Sequence, residues 1–217
     1  MNILINYADR LYFESQKENS KSGLENGFDK VIEYGRKDID EGYLNKHKEI
    51  LDIAQGAGLW LWKPYIIYKT LLSMGENDIL FYCDSGATFI GDMSEYFELC
   101  RQDEKGLILF GGTYFINSDY TSPACFEIMQ GEKYKDCFHL QASFQLCRRT
   151  AFTLKFYRET LDYCENKKAI ETGDFPDHRH DQSILSIMSQ KHNVTTLSDP
   201  SQLGERDMVI VHHRKSK

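Results

Sequence analysis

No uninterrupted apolar stretch of this 217-residue chain approaches the roughly 20 residues that span a bilayer, so the sequence reads as soluble and without a membrane span. The amino-terminal run Met1-Asn2-Ile3-Leu4-Ile5-Asn6-Tyr7-Ala8 meets Asp9 and Arg10 too early to serve as a signal peptide's hydrophobic segment. Cys83, Cys100, Cys125, Cys137, Cys147 and Cys164 are scattered singly, with no Cys-x-x-Cys pair and no metal-finger spacing. That usage fits reduced thiols filling the core of a cytoplasmic protein. An excess of basic residues is also missing. The formal charge of -7 excludes a general nucleic-acid binder, although a local basic site remains compatible with it. The chain has no Gly-x-x-x-x-Gly-Lys-Ser/Thr loop, no Gly-x-Gly-x-x-Gly, no Gly-x-Ser-x-Gly and no His-Glu-x-x-His. Walker-type ATPases, dinucleotide dehydrogenases, elbow-type serine hydrolases and zincins are set aside on that ground. Internal repeats, low-complexity linkers and a convincing second domain are lacking too, and residues 1–217 read as one domain.

What is present is a 41% hydrophobic chain with thirteen Phe and thirteen Tyr, enough for a sizeable, aromatic-rich core. Residues 2–7 and 31–34 have strand character, with a polar helix or loop over 14–26 between them. Loosely helical spacing over 39–54 ends at Gly56-Ala57-Gly58. Pro64 suits the first turn of a helix whose face continues through Ile67, Leu71 and Met74 and stops near Gly75 and Asn77. Residues 79–83 and 106–112 form continuous apolar runs, as in strands covered on both faces. Helices are expected over 93–102 and 152–164, a loop over 117–123, and a strand over 142–147. Asp181 is expected to cap a helix over 182–190 after the polar loop 172–180, with late strands at 194–197 and 208–211. Strands alternating with helices define an α/β/α sandwich around a mostly parallel sheet.

Asp84 follows five apolar residues, so its strand delivers it to the sheet's carboxyl edge, where Ser85-Gly86 lets a ligand approach the backbone. It reads as a metal or phosphate-sugar ligand, or else as a turn-capping aspartate. His212 and His213 follow the last strand and point to opposite sides, so one of them reaches any given site. With Asp84 it would make a mixed N/O site of the kind that takes Mn²⁺ or Mg²⁺, and Arg214 or Lys215 would neutralise phosphate; the plain alternative is a frayed basic tail. Lys63, between Trp62 and Pro64, either aims its ammonium at an anion or is an ordinary surface lysine. Asp181-Gln182 either holds sugar hydroxyls or belongs to a solvated loop.

Taken in order, Tyr7-Ala8-Asp9, Trp60-x-Trp62-Lys63-Pro64-Tyr65, Tyr82-Cys83-Asp84-Ser85-Gly86, Gln141-Ala142-Ser143, Arg179-His180-Asp181-Gln182-Ser183 and His212-His213-Arg214 resemble a nucleotide-sugar-dependent glycosyltransferase of the GT-A fold. The resemblance spans nearly the whole chain. It is greatest to small polysaccharide-building transferases of bacteria and large DNA viruses, in particular the amino-terminal glycosyltransferase domain encoded by chlorella viruses. It implies that Tyr7, Ala8 and Asp9 receive uracil and ribose, and that Asp84-Ser85-Gly86 stands where the family's Asp-x-Asp motif holds Mn²⁺ and the donor diphosphate. The second aspartate of that motif is replaced by Gly86. Asp181 and Gln182 match a pair that in retaining members binds sugar hydroxyls and lies beside the anomeric carbon, and Gln141 and Ser143 fall in the stretch lining the sugar pocket. The implied partners are a UDP-sugar carrying a hexose or deoxyhexose and a glycan or glycoprotein acceptor. The implied location is the cytoplasm, a host's if the chain is viral. The ending Arg214-Lys215-Ser216-Lys217 is compatible with one part of a longer multidomain polypeptide.

Breaking a sugar–phosphate bond places negative charge on the leaving diphosphate and positive charge on the ring. Asp84 with its cation, His212, Lys63 and Arg214 suit the first task, and Asp181 and Gln182 the second. Two rivals remain at this stage. A sugar-nucleotide-forming nucleotidyltransferase would carry a Gly-rich basic loop after the first strand, which Tyr7-Ala8-Asp9-Arg10-Leu11 is not. An inactive carbohydrate-binding or scaffold domain would account for the missing second aspartate.

Overall fold

Alternation of apolar side chains along the central strands sorts the interior into two layers. The computed structural model describes residues 1–9, 11–204 and 208–213, with residues 112 and 113 described by their backbone. Its strands are β1 (Asn2–Tyr7), β2 (Lys30–Tyr34), β3 (Ile79–Cys83), β4 (Ala87–Phe89), β5 (Leu107–Ile116), β6 (Phe138–Arg148), β7 (Thr195–Ser198) and β8 (Ile210–His212). Six of them form one sheet in the order β2-β1-β3-β6-β5-β7, and β4 pairs with β8 in a separate antiparallel ribbon. Within the large sheet β6 alone runs against its neighbours β3 and β5, so the sheet is mixed and mostly parallel.

Ile3, Ile5, Leu80, Tyr82, Leu107 and Leu109 enter one layer together with the helices Trp62–Ser73, Ala151–Cys164 and Asp181–Lys191. Leu4, Ile79, Phe81, Cys83, Ile108 and Phe110 enter the other, against Phe28, Phe89, Ile210 and the helix Ser94–Gln102. This second layer is an edge-to-face aromatic cluster, with Phe28 centred 5.0 Å from Phe97 and 5.1 Å from Phe89. The cysteines are free thiols; Cys137 is half-buried and the other five are buried.

The helix Phe13–Glu25 was ambiguous in sequence because it has no apolar stripe. It buries Gln16, Asn19 and Ser20 instead, and they are satisfied by Asn6: Asn6 Nδ2 donates to Asn19 Oδ1 at 2.7 Å, and Gln16 Nε2 donates to Asn6 Oδ1 at 2.9 Å. A buried polar network of this kind holds the element by directed bonds where a hydrophobic pattern would otherwise announce it.

Several expectations are corrected. The strand expected over 106–112 continues to Ile116, and that over 142–147 begins at Phe138. The loop expected over 117–123 contains a helical turn, Asn117–Tyr120, and Pro123 opens a further helix capped by Ser122. Asp181 is the first helical residue and His180 occupies the cap position, so Asp181 does not cap; its carboxylate is buried. The carboxyl ends of β1 and β3 and the start of the helix Asp181–Lys191 thus meet on one side of the sheet.

Candidate active site

The helix Trp62–Ser73 starts with Trp62-Lys63-Pro64, where the missing Pro64 N–H falls among amides that have no helical partner anyway. Lys63 is 3% exposed, so it is not a surface lysine. Its Nζ lies 3.4 Å from Asp84 Oδ1 and 3.2 Å from Asp181 Oδ2, and donates to the Ala142 carbonyl at 3.3 Å. The face of Tyr82 stands 5.2 Å away. Burial alone would depress the ammonium, but the Asp181 and Asp84 carboxylates outweigh it and hold Lys63 above the ordinary lysine range.

The two carboxylates respond differently. Asp84 keeps 34% of its side chain exposed. Desolvation works to raise it, yet Lys63, the hydroxyls of Tyr82 and Ser143, and the nearby His212 together hold it below the usual aspartate value. The Tyr82 hydroxyl donates to Asp84 Oδ1 at 2.5 Å. Asp181 is pushed up to about 6, chiefly by burial, with Lys63 opposing and the charge of Asp84 adding to the rise. Carboxylates with separated affinities around one ammonium are a recurring mark of a reactive site.

A β-bulge completes this corner. Gln145 pairs with Leu109 and Gln141 with Phe110, so residues 142–144 bulge out of the β5 ladder. That frees the Ala142 carbonyl for Lys63 and places Gln141 and Ser143 in the wall of a polar cavity of about 330 Å³. Lys63, Asp84, Asp181 and Gln182 line the same cavity, together with Gln55, Trp60, Asp177 and Arg179. A second cavity of about 400 Å³ lies between β5, β6 and the segment 194–204; among the described residues its lining holds no acidic, basic or histidine side chain, whereas the smaller cavity gathers several.

The outer wall is strained. Gly56, Ala57, Gly58, Leu59 and Trp60 all have positive φ, between 51° and 106°, and form a left-handed helical turn closed by Leu59 N–H to Gln55 O at 2.9 Å and Trp60 N–H to Gly56 O at 3.2 Å. Left-handed residues other than glycine cost about 1–2 kcal/mol each, so Ala57, Leu59 and Trp60 carry roughly 3–6 kcal/mol of strain. Packed against this turn, His180 adopts φ 54°, ψ -119° directly before Asp181. Its Nδ1–H donates to Ile170 O at 2.7 Å, and its Nε2 accepts from Gln55 Nε2 at 3.0 Å. His178 accepts from Ser122 N–H at 3.2 Å and donates Nε2–H to Ala169 O at 3.0 Å. Strain gathered in two segments that meet at one cavity is characteristic of functional sites.

His178 and His180 are buried in the neutral form, as is His139 beside Asn117; desolvation depresses all three, His178 to about 4 and His139 to about 3. Lowered folded-state values contribute stability above the unfolded histidine value near 6.5 that is lost as pH falls toward 4 and 3. Urea titrations from pH 7 to pH 4 are therefore expected to show the midpoint falling, and His178→Gln to flatten that fall by on the order of 3 kcal/mol.

The structure brings Lys63, Asp84, Gln141, Ser143, Asp181 and Gln182 into the cavity; Tyr7, Ala8, Asp9, Ser85 and Gly86 are not among its lining residues. The Tyr7 ring is buried and stacked on Trp62 at 3.8 Å, so that ring is engaged internally. Ser85 Oγ donates to Tyr7 O at 2.5 Å, tying the ends of β1 and β3 together. Asp9 accepts from Leu11 N–H, Ala8 N–H donates to Tyr34 O, and Gly86 O accepts from His213 N–H. His212 ends β8 with its ring 5.0 Å from Phe144, near enough to stabilise the Asp84 carboxylate. Arg214 lies outside the described residues. Sequence reasoning missed Tyr82, Gln55 and the Ala142 carbonyl. Tyr82 carries a signal in hindsight, since it lies two residues before Asp84, on the same side of the strand.

No protein-family model and no curated protein matches the sequence. Solved structures do. The apo form of mouse xyloside xylosyltransferase 1 superposes with a TM-score of 0.53 at 10% identity, covering 99% of this chain and 97% of that one. The apo form of the glycosyltransferase GlyE of Streptococcus pneumoniae TIGR4 gives 0.52 at 15% identity, over 98% of this chain and 54% of its own length. At these identities the likeness defines the fold, which is a GT-A-like glycosyltransferase fold. Among the described residues no helix is long and apolar enough to cross a membrane.

Proposed function

We propose that this chain is a single-domain glycosyltransferase that moves a hexose or deoxyhexose from a UDP-sugar to a glycan acceptor, with retention of configuration. The observation that carries the reading is the Lys63 ammonium held between Asp84 and Asp181 in a polar cavity at the carboxyl end of β3, within a fold shared with glycosyltransferases. In this reading the diphosphate lies beside Asp84, Lys63 offsets charge at the breaking bond, Asp181 accepts hydrogen bonds from sugar hydroxyls, and the Gln182 amide oxygen stabilises positive charge on the anomeric carbon. The second aspartate expected of the motif is Gly86, and the described residues contain no group of three His, Cys, Asp or Glu around one point. Asp84 and His212 still fit as two protein ligands of Mn²⁺ or Mg²⁺, a cation that commonly takes one or two protein groups and completes its shell from phosphates and water. When bound there, the cation supplies positive charge to the leaving diphosphate.

Calorimetry with UDP and Mn²⁺ tests this. UDP is expected to bind the unaltered chain, with Mn²⁺ retained only in its presence, and Asp84→Ala to abolish the effect; undiminished binding by that variant would reject the assignment. A Cβ at Gly86 meets nothing within 4 Å, so Gly86→Asp is expected to fold normally and to bind Mn²⁺ at least about tenfold more tightly without nucleotide. Release of UDP from a panel of UDP-sugars separates a transferase from an inactive binding domain.

A further inference from the structure

The residues assigned to the donor account for part of the cavity lining and leave Gln55, Trp60, Asp177 and Arg179 without a role. They belong to a built wall. Gly56 backs the Trp60 indole so closely that a Cβ there would come within 2.3 Å of the ring, and the indole lies 5.6 Å from the His180 ring at an interplanar angle of 29°. The left-handed turn thus holds an aromatic side chain, half-buried, at the cavity wall, and it persists despite its backbone strain.

The chemistry of this wall is specific. Gln55 commits its amide nitrogen to His180, which leaves its carbonyl oxygen as the accepting group, and Asp177 is an exposed carboxylate. An indole beside two acceptors matches a pyranose ring, which offers C–H patches to an aromatic surface and hydroxyls to oxygen acceptors. Three carboxylates, Asp84, Asp177 and Asp181, line the cavity, and its buried ammonium is already engaged by two of them, while the Arg179 guanidinium lies over the Tyr120 ring at 4.8 Å. A neutral sugar suits that balance better than a uronic acid.

We propose that Gln55, Trp60 and Asp177 form the acceptor subsite, which takes a neutral pyranose at the end of a glycan and turns its hydroxyl toward Gln182. The inference rests on the transferase reading for the word acceptor, but the sugar-binding wall stands on its own geometry. Because the Trp60 indole packs over His180, the residue before Asp181, the subsite and the reacting pair share one support.

Saturation-transfer NMR on the full chain tests it, with methyl β-D-xylopyranoside, methyl α-D-glucopyranoside and methyl α-L-rhamnopyranoside as probes in the presence of UDP. Saturation transfer to at least one glycoside is expected. Trp60→Ala and Gln55→Ala should each weaken glycoside binding, the first by at least about tenfold, while UDP affinity stays within about twofold, and Trp60→Phe should retain most of the binding. Gln55 is exposed, so its variant reads the site even if Trp60→Ala misfolds. No saturation transfer in the unaltered chain, or undiminished transfer in Gln55→Ala and in any folded Trp60→Ala, overturns the subsite. Failure of the unaltered chain to bind UDP overturns the transferase reading instead, and the glycoside titrations still decide the wall.

Discussion

Lys63→Met is expected to abolish sugar transfer and to destabilise the fold together. The ammonium stands between two carboxylates, one of them 7% exposed, and its removal leaves like charges facing each other in a protein interior. Breaking a buried ion pair from one side costs about 3–5 kcal/mol, because the remaining charge keeps its desolvation penalty and loses its partner. A cationic group aimed at charge that develops in the reaction is worth about 10²–10³ in rate. The two effects separate in a double variant. Adding Asp181→Asn to Lys63→Met removes the orphaned charge, so urea denaturation should recover most of the lost stability while transfer stays absent. Activity at the unaltered level in Lys63→Met would show that the ammonium is structural. Lys63→Arg is expected to rescue poorly, since the planar guanidinium does not fit a niche bounded by the Tyr82 face and the Ala142 carbonyl.

Asp181→Asn should lower kcat by about 10²-fold or more with UDP affinity nearly unchanged, and should remove the acid limb of the pH profile. The sign follows from burial. Asp181 is pushed up to about 6 from 3.8, so between pH 4 and 6 it is protonated where an ordinary aspartate would be ionised. The ionised form that pairs with Lys63 prevails above pH 6, and transfer by the unaltered chain is expected to fall about tenfold per pH unit below that point. Stability runs the other way: a raised carboxyl favours the folded state at low pH, and that contribution is lost as pH rises through 6. A rate profile flat down to pH 5 in the unaltered chain would contradict the role assigned to Asp181. Gln182→Ala should lower kcat without moving the limb, since an amide does not titrate.

Part of this site was legible in the sequence and part was not, for reasons that differ residue by residue. Asp84 could be placed because five apolar residues before it can only be a buried strand, and a parallel strand ends where ligands bind. Asp181-Gln182 could be placed at a helix start because a polar loop gives way there to helical spacing. The partner of both, Lys63, was an open question, since 117 residues of intervening chain separate it from Asp181 and nothing local tells a buried ammonium from a solvated one. The same holds for β6. Its reversal, its bulge and the freed Ala142 carbonyl depend on which strands it lies between, and apolar alternation is silent about direction. Gly56-Ala57-Gly58 read as a helix terminator; the left-handed turn carries on through Leu59 and Trp60, residues that take such a conformation only when surrounding packing imposes it.

The sequence by itself determined the layers of this protein and the end of a buried strand that carries Asp84, because runs and periodicities of apolar residues are local properties that survive without coordinates. The tertiary structure alone decided that one ammonium serves two carboxylates, that the Tyr7 ring is engaged by Trp62, and that Trp60 faces the same cavity as Gln182. Charge pairing and shared walls are relations between distant segments, and they come into being only when the chain closes around them.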